Sequence, residues 1–241
     1  MKHTEFYTVN SHDTDYNGNL RPSCVMRYMQ ETANRQFNSH HPTLYELNED
    51  NKSFLLSRSN MSVYSNLHNF DKIKVESWAC EGKGVTYLRC GRIYRDDIIV
   101  AEIITNWALV DRTNQKFIRQ GDIEFGFGND EPLELDMPRR IMIPSDLQLM
   151  LAGERTIYYG DVDLYGHMNN TNYPDMLCAF IPNFKNKMVV RCSISFIHDA
   201  PLGETLKIYV GSDDADTYYF RTLKEDGSVN VEAEIVLEDA V

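Results

Sequence analysis

One stretch of this chain concentrates groups able to act on a carbonyl. It runs Asp163-Leu164-Tyr165-Gly166-His167-Met168-Asn169-Asn170-Thr171-Asn172-Tyr173. Gly166 permits a tight turn, or a positive φ, where a side chain would clash. Either Asn169 or Asn170 can cap a helix that starts here. The free N–H groups at such a start form a partial positive pole. A carbonyl docked against Gly166 and Asn170 would have its developing oxyanion stabilised. Asp163 and His167 lie on the approach to the same spot. A carboxylate and an imidazole there can position or deprotonate a water. Spacing alone leaves a plainer reading open, in which Asp163 forms a turn and His167 is packed.

The segment has an earlier counterpart. Residues 13–20 read Asp-Thr-Asp-Tyr-Asn-Gly-Asn-Leu, and residues 161–168 read Asp-Val-Asp-Leu-Tyr-Gly-His-Met. Asp13/Asp161, Asp15/Asp163 and Gly18/Gly166 coincide at an offset of 148 residues, and Leu20/Met168 add an apolar pair. A helical pattern follows each copy. Val25, Met29, Ala33 and Phe37 recur every four residues after the first. Tyr173, Leu177 and Phe180, at spacings of four and three, share a face after the second, until Pro182 ends the pattern.

Four strand-like segments follow each helix. They are 54–64, 73–78, 85–94 and 98–110, then 188–197, 205–211, 217–223 and 229–237, rich in β-branched and aromatic residues. Glu225-Asp226-Gly227-Ser228 reads as a hairpin turn. The order loop, helix, four strands occurs twice, which predicts an α+β fold with one helix on an antiparallel sheet in each half. Gly126, Gly128, Pro132, Pro138 and Pro144 mark the connection. The expected division is 1–128, a linker 129–150, and 151–241.

Bulk properties narrow the function. A formal net charge of −12 disfavours nucleic acid as a partner. An acidic carrier protein would also be repelled at long range, so a carrier-dependent enzyme needs a local basic patch. Arg139, Arg140 and Arg155 are candidates, as are Arg112, Lys116 and Arg119, though a solvated charge cluster reads the same way. No apolar run approaches the ~18 residues of a membrane span. No apolar signal segment follows Met1, so a soluble, cytoplasmic protein is expected. The five cysteines (Cys24, Cys80, Cys90, Cys178 and Cys192) are widely spaced and contain no C-x-x-C, which suggests reduced, buried thiols. No glycine-rich phosphate loop and no metal-ligand spacing among the histidines are present, so neither cofactor nor metal is expected. His40-His41 reads as a surface loop pair.

The 163–173 segment resembles the D-x-x-G-H-x-N-N-x-x-Y signature of hotdog thioesterases. The surrounding chain is similar to the acyl-ACP thioesterases, bacterial relatives of the plant fatty acyl-ACP (acyl carrier protein) enzymes. Gln30-Glu31-Thr32-Ala33 in the first helix, Glu76-Ser77-Trp78, and Asn106-Trp107-Ala108-Leu109-Val110-Asp111 carry that likeness, which spans about residues 6–236. It implies two tandem hotdog domains, each a curved antiparallel sheet around a central helix, paired as an internal pseudo-dimer. It also implies a thioester hydrolase of fatty acid biosynthesis, which releases free fatty acid from acyl carrier protein as a monomer or homodimer. The plant catalytic Asp and His fall on Asp163 and His167. The plant Asn falls on Tyr165, a departure that leaves Asn169 as another source of an amide. The plant Glu-Cys pair falls on Asp199-Ala200. The acid is kept and the cysteine is absent, which argues against a Cys-His nucleophile. The resulting expectation is that Asp199 or His167 activates a water while Asp163 orients the site.

The first copy has Asn19 in place of His167 and Arg21-Pro22 in place of Asn169-Asn170. The resemblance then implies that the first half binds the acyl chain, with Val25, Met29, Leu55, Ser57 and Arg58 as candidates. Acyl-CoA hydrolysis and non-hydrolytic acyl binding remain alternatives on the same scaffold.

Overall fold

The computed structural model describes residues 1–135, 140–182, 184–213 and 216–240. In chain order the elements are β1 (His3–Thr8), α1 (Pro22–Asn38), α2 (Leu44–Glu49), β2 (Lys52–Val63), β3 (Lys72–Cys80), β4 (Thr86–Arg95), β5 (Ile98–Asp111) and β6 (Lys116–Ile118). Then follow β7 (Met150–Thr156), α3 (Tyr173–Cys178), β8 (Lys187–Phe196), β9 (Thr205–Ser212), β10 (Thr217–Leu223) and β11 (Val229–Asp239). Short 3-10 turns at Ser11–Asp13, Tyr159–Asp161 and Asn170–Asn172 punctuate the loops.

α1 forms for local reasons. Pro22 sits at its start, where a missing N–H costs no internal bond. Val25, Met26, Met29, Ala33 and Phe37 share one buried stripe. That stripe packs on β3, with further contacts to β4 and β5. α3 is much shorter, six residues against seventeen. Its buried Tyr173, Met176 and Leu177 still give it an inward face.

All strands join one antiparallel sheet in the order β1-β3-β4-β5-β2-β8-β11-β10-β9-β7, with β6 added to β5. Read outward from the centre, both halves have the same strand order within their own sequence. The seam is β2 against β8, from Arg58 opposite Ser195 to Ser62 opposite Arg191. The predicted strands and the helix repeat are present. The sheet holds more than the four strands expected per half, because β1, β7 and β6 are added, and α2 is also new. β1 and β7 are the sheet's edges and contain no fully buried residue. An edge strand of this kind lacks the apolar periodicity that reveals inner strands.

The core runs continuously across the seam, through Met61, Ile103, Cys192, Ile194, Phe220 and Ile235. After β6 the chain folds back along the first half. Trp78 Nε1 donates to the Glu131 carbonyl at 2.9 Å, and Leu133 is buried against Trp78, Cys80 and Cys90. No helix among the described residues is long and apolar enough to cross a membrane.

Candidate active site

The loop before α3 is set by its own backbone. Asp161 closes a 3-10 turn by accepting the Tyr158 N–H at 2.8 Å, and Arg155 pairs with it at 2.7 Å. The Asp163 N–H donates to the His167 carbonyl at 2.9 Å, and the Gly166 N–H donates to the Asp163 carbonyl at 3.0 Å. Gly166 has φ +78°, a conformation that other residues adopt only with strain. Asp163 Oδ1 accepts the Tyr165 N–H at 2.9 Å. The sequence assigns Gly166 to holding an oxyanion or to the helix start. Its N–H is already used within the turn, and its role is conformational.

Past the turn, the Met168 N–H donates to the Ala200 carbonyl at 2.8 Å, and the Leu202 N–H donates to the Gly166 carbonyl at 3.0 Å. These bonds stitch the loop to the segment leaving β8. They bring Asp199 Oδ2 to 3.2 Å from His167 Nε2. Lys224 lies 3.9 Å from the other Asp199 oxygen and 3.4 Å from Glu204. Both members of the His167–Asp199 pair are partly exposed.

The two asparagines divide their work. Asn169 is the cap, its Oδ1 accepting the Thr171 N–H at 3.0 Å and the Thr171 hydroxyl at 2.9 Å. The first bond inside the turn is the Asn172 N–H to the Asn169 carbonyl, so the Asn170 amide lies ahead of it. Asn172 accepts from Arg27 of α1 at 2.6 Å, which ties this turn to the other half's helix. Tyr173 is buried, and its hydroxyl accepts from Asn230 at 3.0 Å. Burial pushes that phenol up to about 12, so this residue anchors the loop as a neutral group.

A cavity of about 1220 Å³ opens beside this loop, and most of its wall belongs to the first half. α1 contributes Met26, Met29, Ala33 and Phe37, while the sheet contributes Leu56, Tyr87, Ile103 and Trp107. Phe125 and Phe127 close one side, with the Phe37 and Phe127 rings 4.8 Å apart edge to face. From the second half come Asp163, Leu164, Tyr165 and Asn169. Arg112 lies over the Tyr165 ring at 5.4 Å and donates to Asn48 Oδ1 at 2.8 Å, which holds the tyrosine at the rim.

The sequence-predicted residues therefore separate into three places. Asp163, Tyr165 and Asn169 line the cavity; His167 and Asp199 form a pair beside it and are not among its described lining residues. Of the acyl-binding candidates, Met29 lines the cavity. Val25 packs in the core, Leu55 and Ser57 are exposed, and Arg58 stands at the seam, so these four are displaced from the wall. The neighbouring inward positions Phe54 and Leu56 are the ones that reach it. Side chains alternate along a strand, so a slip of one position turns a wall residue outward.

Sequence reading missed Trp107, Tyr87, Arg89, Phe125 and Phe127 as wall residues. The usable signal was two aromatics at spacing two just ahead of the predicted linker. Among the basic candidates, Arg112 and Arg119 stand at or near the cavity. With Lys116 they have no carboxylate partner among the described residues, whereas Arg155 is paired with Asp161. Arg140 is exposed, and Arg139 lies outside the described residues.

No thiol competes for a catalytic role at this loop. Burial pushes Cys24 up to about 11 and Cys192 up to about 12, and Cys178 well above an ordinary thiol. Among the described residues no cluster of three or more His, Cys, Asp or Glu could hold a metal ion.

The mirrored strand order and paired loop–helix units are those of two hotdog domains in one chain. Comparison with solved structures gives that class particular members. The chain is similar to an acyl-ACP thioesterase from Bacteroides thetaiotaomicron, with a TM-score of 0.88 and 19% identity over 98% of both chains. It is also similar to the 12:0-ACP thioesterase from Umbellularia californica, with a TM-score of 0.78 and 13% identity over 99% of this chain and 97% of that one. At such identities the likeness establishes the fold, a tandem hotdog. Neither a protein-family model nor a curated protein matches this sequence.

Proposed function

We propose that this protein hydrolyses fatty acyl thioesters, releasing free fatty acid from acyl carrier protein in the cytoplasm. One observation carries the reading: a carboxylate, Asp163, stands on the wall of a large apolar cavity, and His167 of the same loop pairs outside it with Asp199 from the segment leaving β8. An acyl chain needs such a cavity, since burying each CH₂ contributes about 0.8 kcal/mol. Its thioester carbonyl would then rest at the loop, with the pantetheine arm in solvent.

In this arrangement Asp163 is the residue that takes the proton from an attacking water, because it faces the acyl side. The Asn170 amide and the capped turn hold the oxyanion. His167, oriented by Asp199, protonates the departing sulfur on the solvent side. The roles differ from the expectation that Asp199 or His167 activates the water. Their placement outside the cavity wall motivates the change. The first half, 1–128, holds the chain, the second, 151–241, supplies the chemistry, and 129–150 joins them. Arg112, Lys116 and Arg119 offer an acidic carrier a local basic rim on an otherwise acidic protein. The similarity in fold to the acyl-ACP thioesterase from Bacteroides thetaiotaomicron supports the choice of carrier.

The test is thiol release from medium- and long-chain acyl-ACP and acyl-CoA by purified protein. Turnover faster on acyl-ACP is the expected result. Turnover on acyl-CoA alone would remove the carrier. No turnover on either would leave the site as an acyl-binding one.

A further inference from the structure

Arg89 stands out inside the cavity. It is 8% exposed and lies on the wall with Phe37, Tyr87 and Phe127. Its Nε donates to Ser77 Oγ at 2.9 Å, and its Nη2 donates to Gln36 Oε1. Its guanidinium carbon lies 5.4 Å from the Phe37 ring and 5.8 Å from the Phe127 ring. No carboxylate among the described residues lies within ion-pair distance of it. Its five N–H groups meet two neutral acceptors, and no other acceptor among the described residues bonds to them.

A charge in such a place is costly. Desolvation pulls the Arg89 guanidinium down to about 10, still protonated at neutral pH. An apolar residue of similar volume would fill the same wall without that penalty. The placement along α1 is also informative. The turn that carries Asn169 and Asn172 meets α1 at Arg27, while Arg89 meets it at Gln36, about 14 Å further along the helix axis. The guanidinium is therefore set well away from the loop that would act on the carbonyl, at the other end of α1.

We propose that Arg89 is a specificity residue for an acyl chain bearing an oxygen at its distal end, whose hydroxyl, carbonyl or carboxylate oxygen accepts from the unpartnered guanidinium N–H groups. The proposal rests on the thioesterase reading for the orientation of the chain, carbonyl at Asp163 and tail at Arg89. Hydrogen bonds to a desolvated charge are strong, and a methyl terminus would leave those donors unmet. Met26, Met29 and Ala33 hold the methylene portion between the two ends.

Binding of free acids tests this without requiring turnover, so failure of the proposal is separable from failure of hydrolysis. Calorimetry would compare methyl-terminated, ω-hydroxy and ω-carboxy acids at matched lengths from 10 to 16 carbons, with wild type and Arg89→Met. The expected result is about ten-fold tighter binding of an oxygen-terminated acid at one or more lengths, lost in Arg89→Met. Wild type alone decides the matter if the variant fails to fold. Equal or tighter binding of the methyl-terminated acid at every length overturns the proposal. So does a preference that a folded Arg89→Met retains.

Discussion

The two Asp-x-x-Gly loops have nearly the same backbone and different surroundings. In the first, the Asp15 N–H donates to the Asn19 carbonyl at 2.8 Å and the Gly18 N–H to the Asp15 carbonyl at 3.0 Å. The second repeats this at Asp163, His167 and Gly166 within 0.1 Å. Gly18 and Gly166 have φ +81° and +78°. Asp15 Oδ1 accepts the Asn17 N–H, as Asp163 Oδ1 accepts that of Tyr165. The shared residues are therefore conformational first. What differs is the use of the remaining positions. Asn19 is buried, while His167 reaches Asp199. Asn17 bonds across to Asn186, while Tyr165 lines a cavity. The same turn thus meets a histidine–carboxylate pair and a cavity wall only in the second half.

The substitutions that probe this difference fall in order of size. Asp163→Asn keeps the turn bond and removes the base, so kcat on acyl thioesters should fall about 10³-fold with little change in melting temperature. Asp15→Asn, its counterpart, should leave kcat within two-fold; a large loss there would mean that both loops act. His167→Asn, which copies the first loop, should lower kcat about 10²-fold by removing the acid for the leaving sulfur. Steady-state kinetics with substrates of lower leaving-group pKa should narrow that loss, and an unchanged loss would remove this role. Asn19→His, the reverse copy, should destabilise by about 1–3 kcal/mol in denaturant unfolding, because an imidazole overfills a buried site. Gly18→Ala and Gly166→Ala should each cost about 1–2 kcal/mol from backbone strain alone, since an added Cβ meets no atom within 4 Å at either position. Unequal losses would show that the loops differ in conformation as well as in use.

Much of this was legible in the chain. Inner strands such as Thr217–Leu223 lie where β-branched and aromatic runs predict them. Pro182 marks the end of the second helical pattern, although α3 itself ends at Cys178. The edge strands were not legible, because the inward face of His3 to Thr8 is only half-buried and holds His3 and Glu5 beside Tyr7, so no apolar period marks it. The loop's turn and cap were readable from Gly166 and the Asn pair, since a local turn is encoded locally. The cavity was not. Its wall joins Met29 of α1, Arg89 of β4 and Phe127 of the loop after β6, and only tertiary packing brings them together. Leu55 and Leu56 show the same limit at one-residue scale. Both are apolar, and only the register of β2 decides which of them faces in.

In the proposed function the second half supplies chemistry to an acyl chain held by the first. The chain-length profile of kcat/KM tests it, measured for wild type, Asp163→Asn and Ala33→Trp from four to sixteen carbons. Ala33 lines the cavity on α1, and an indole there should block it. Asp163→Asn should lose activity at every length, while Ala33→Trp should lose the long chains and keep the short ones. Turnover retained in Asp163→Asn, or an equal loss at all lengths in a folded Ala33→Trp, would contradict that division of roles.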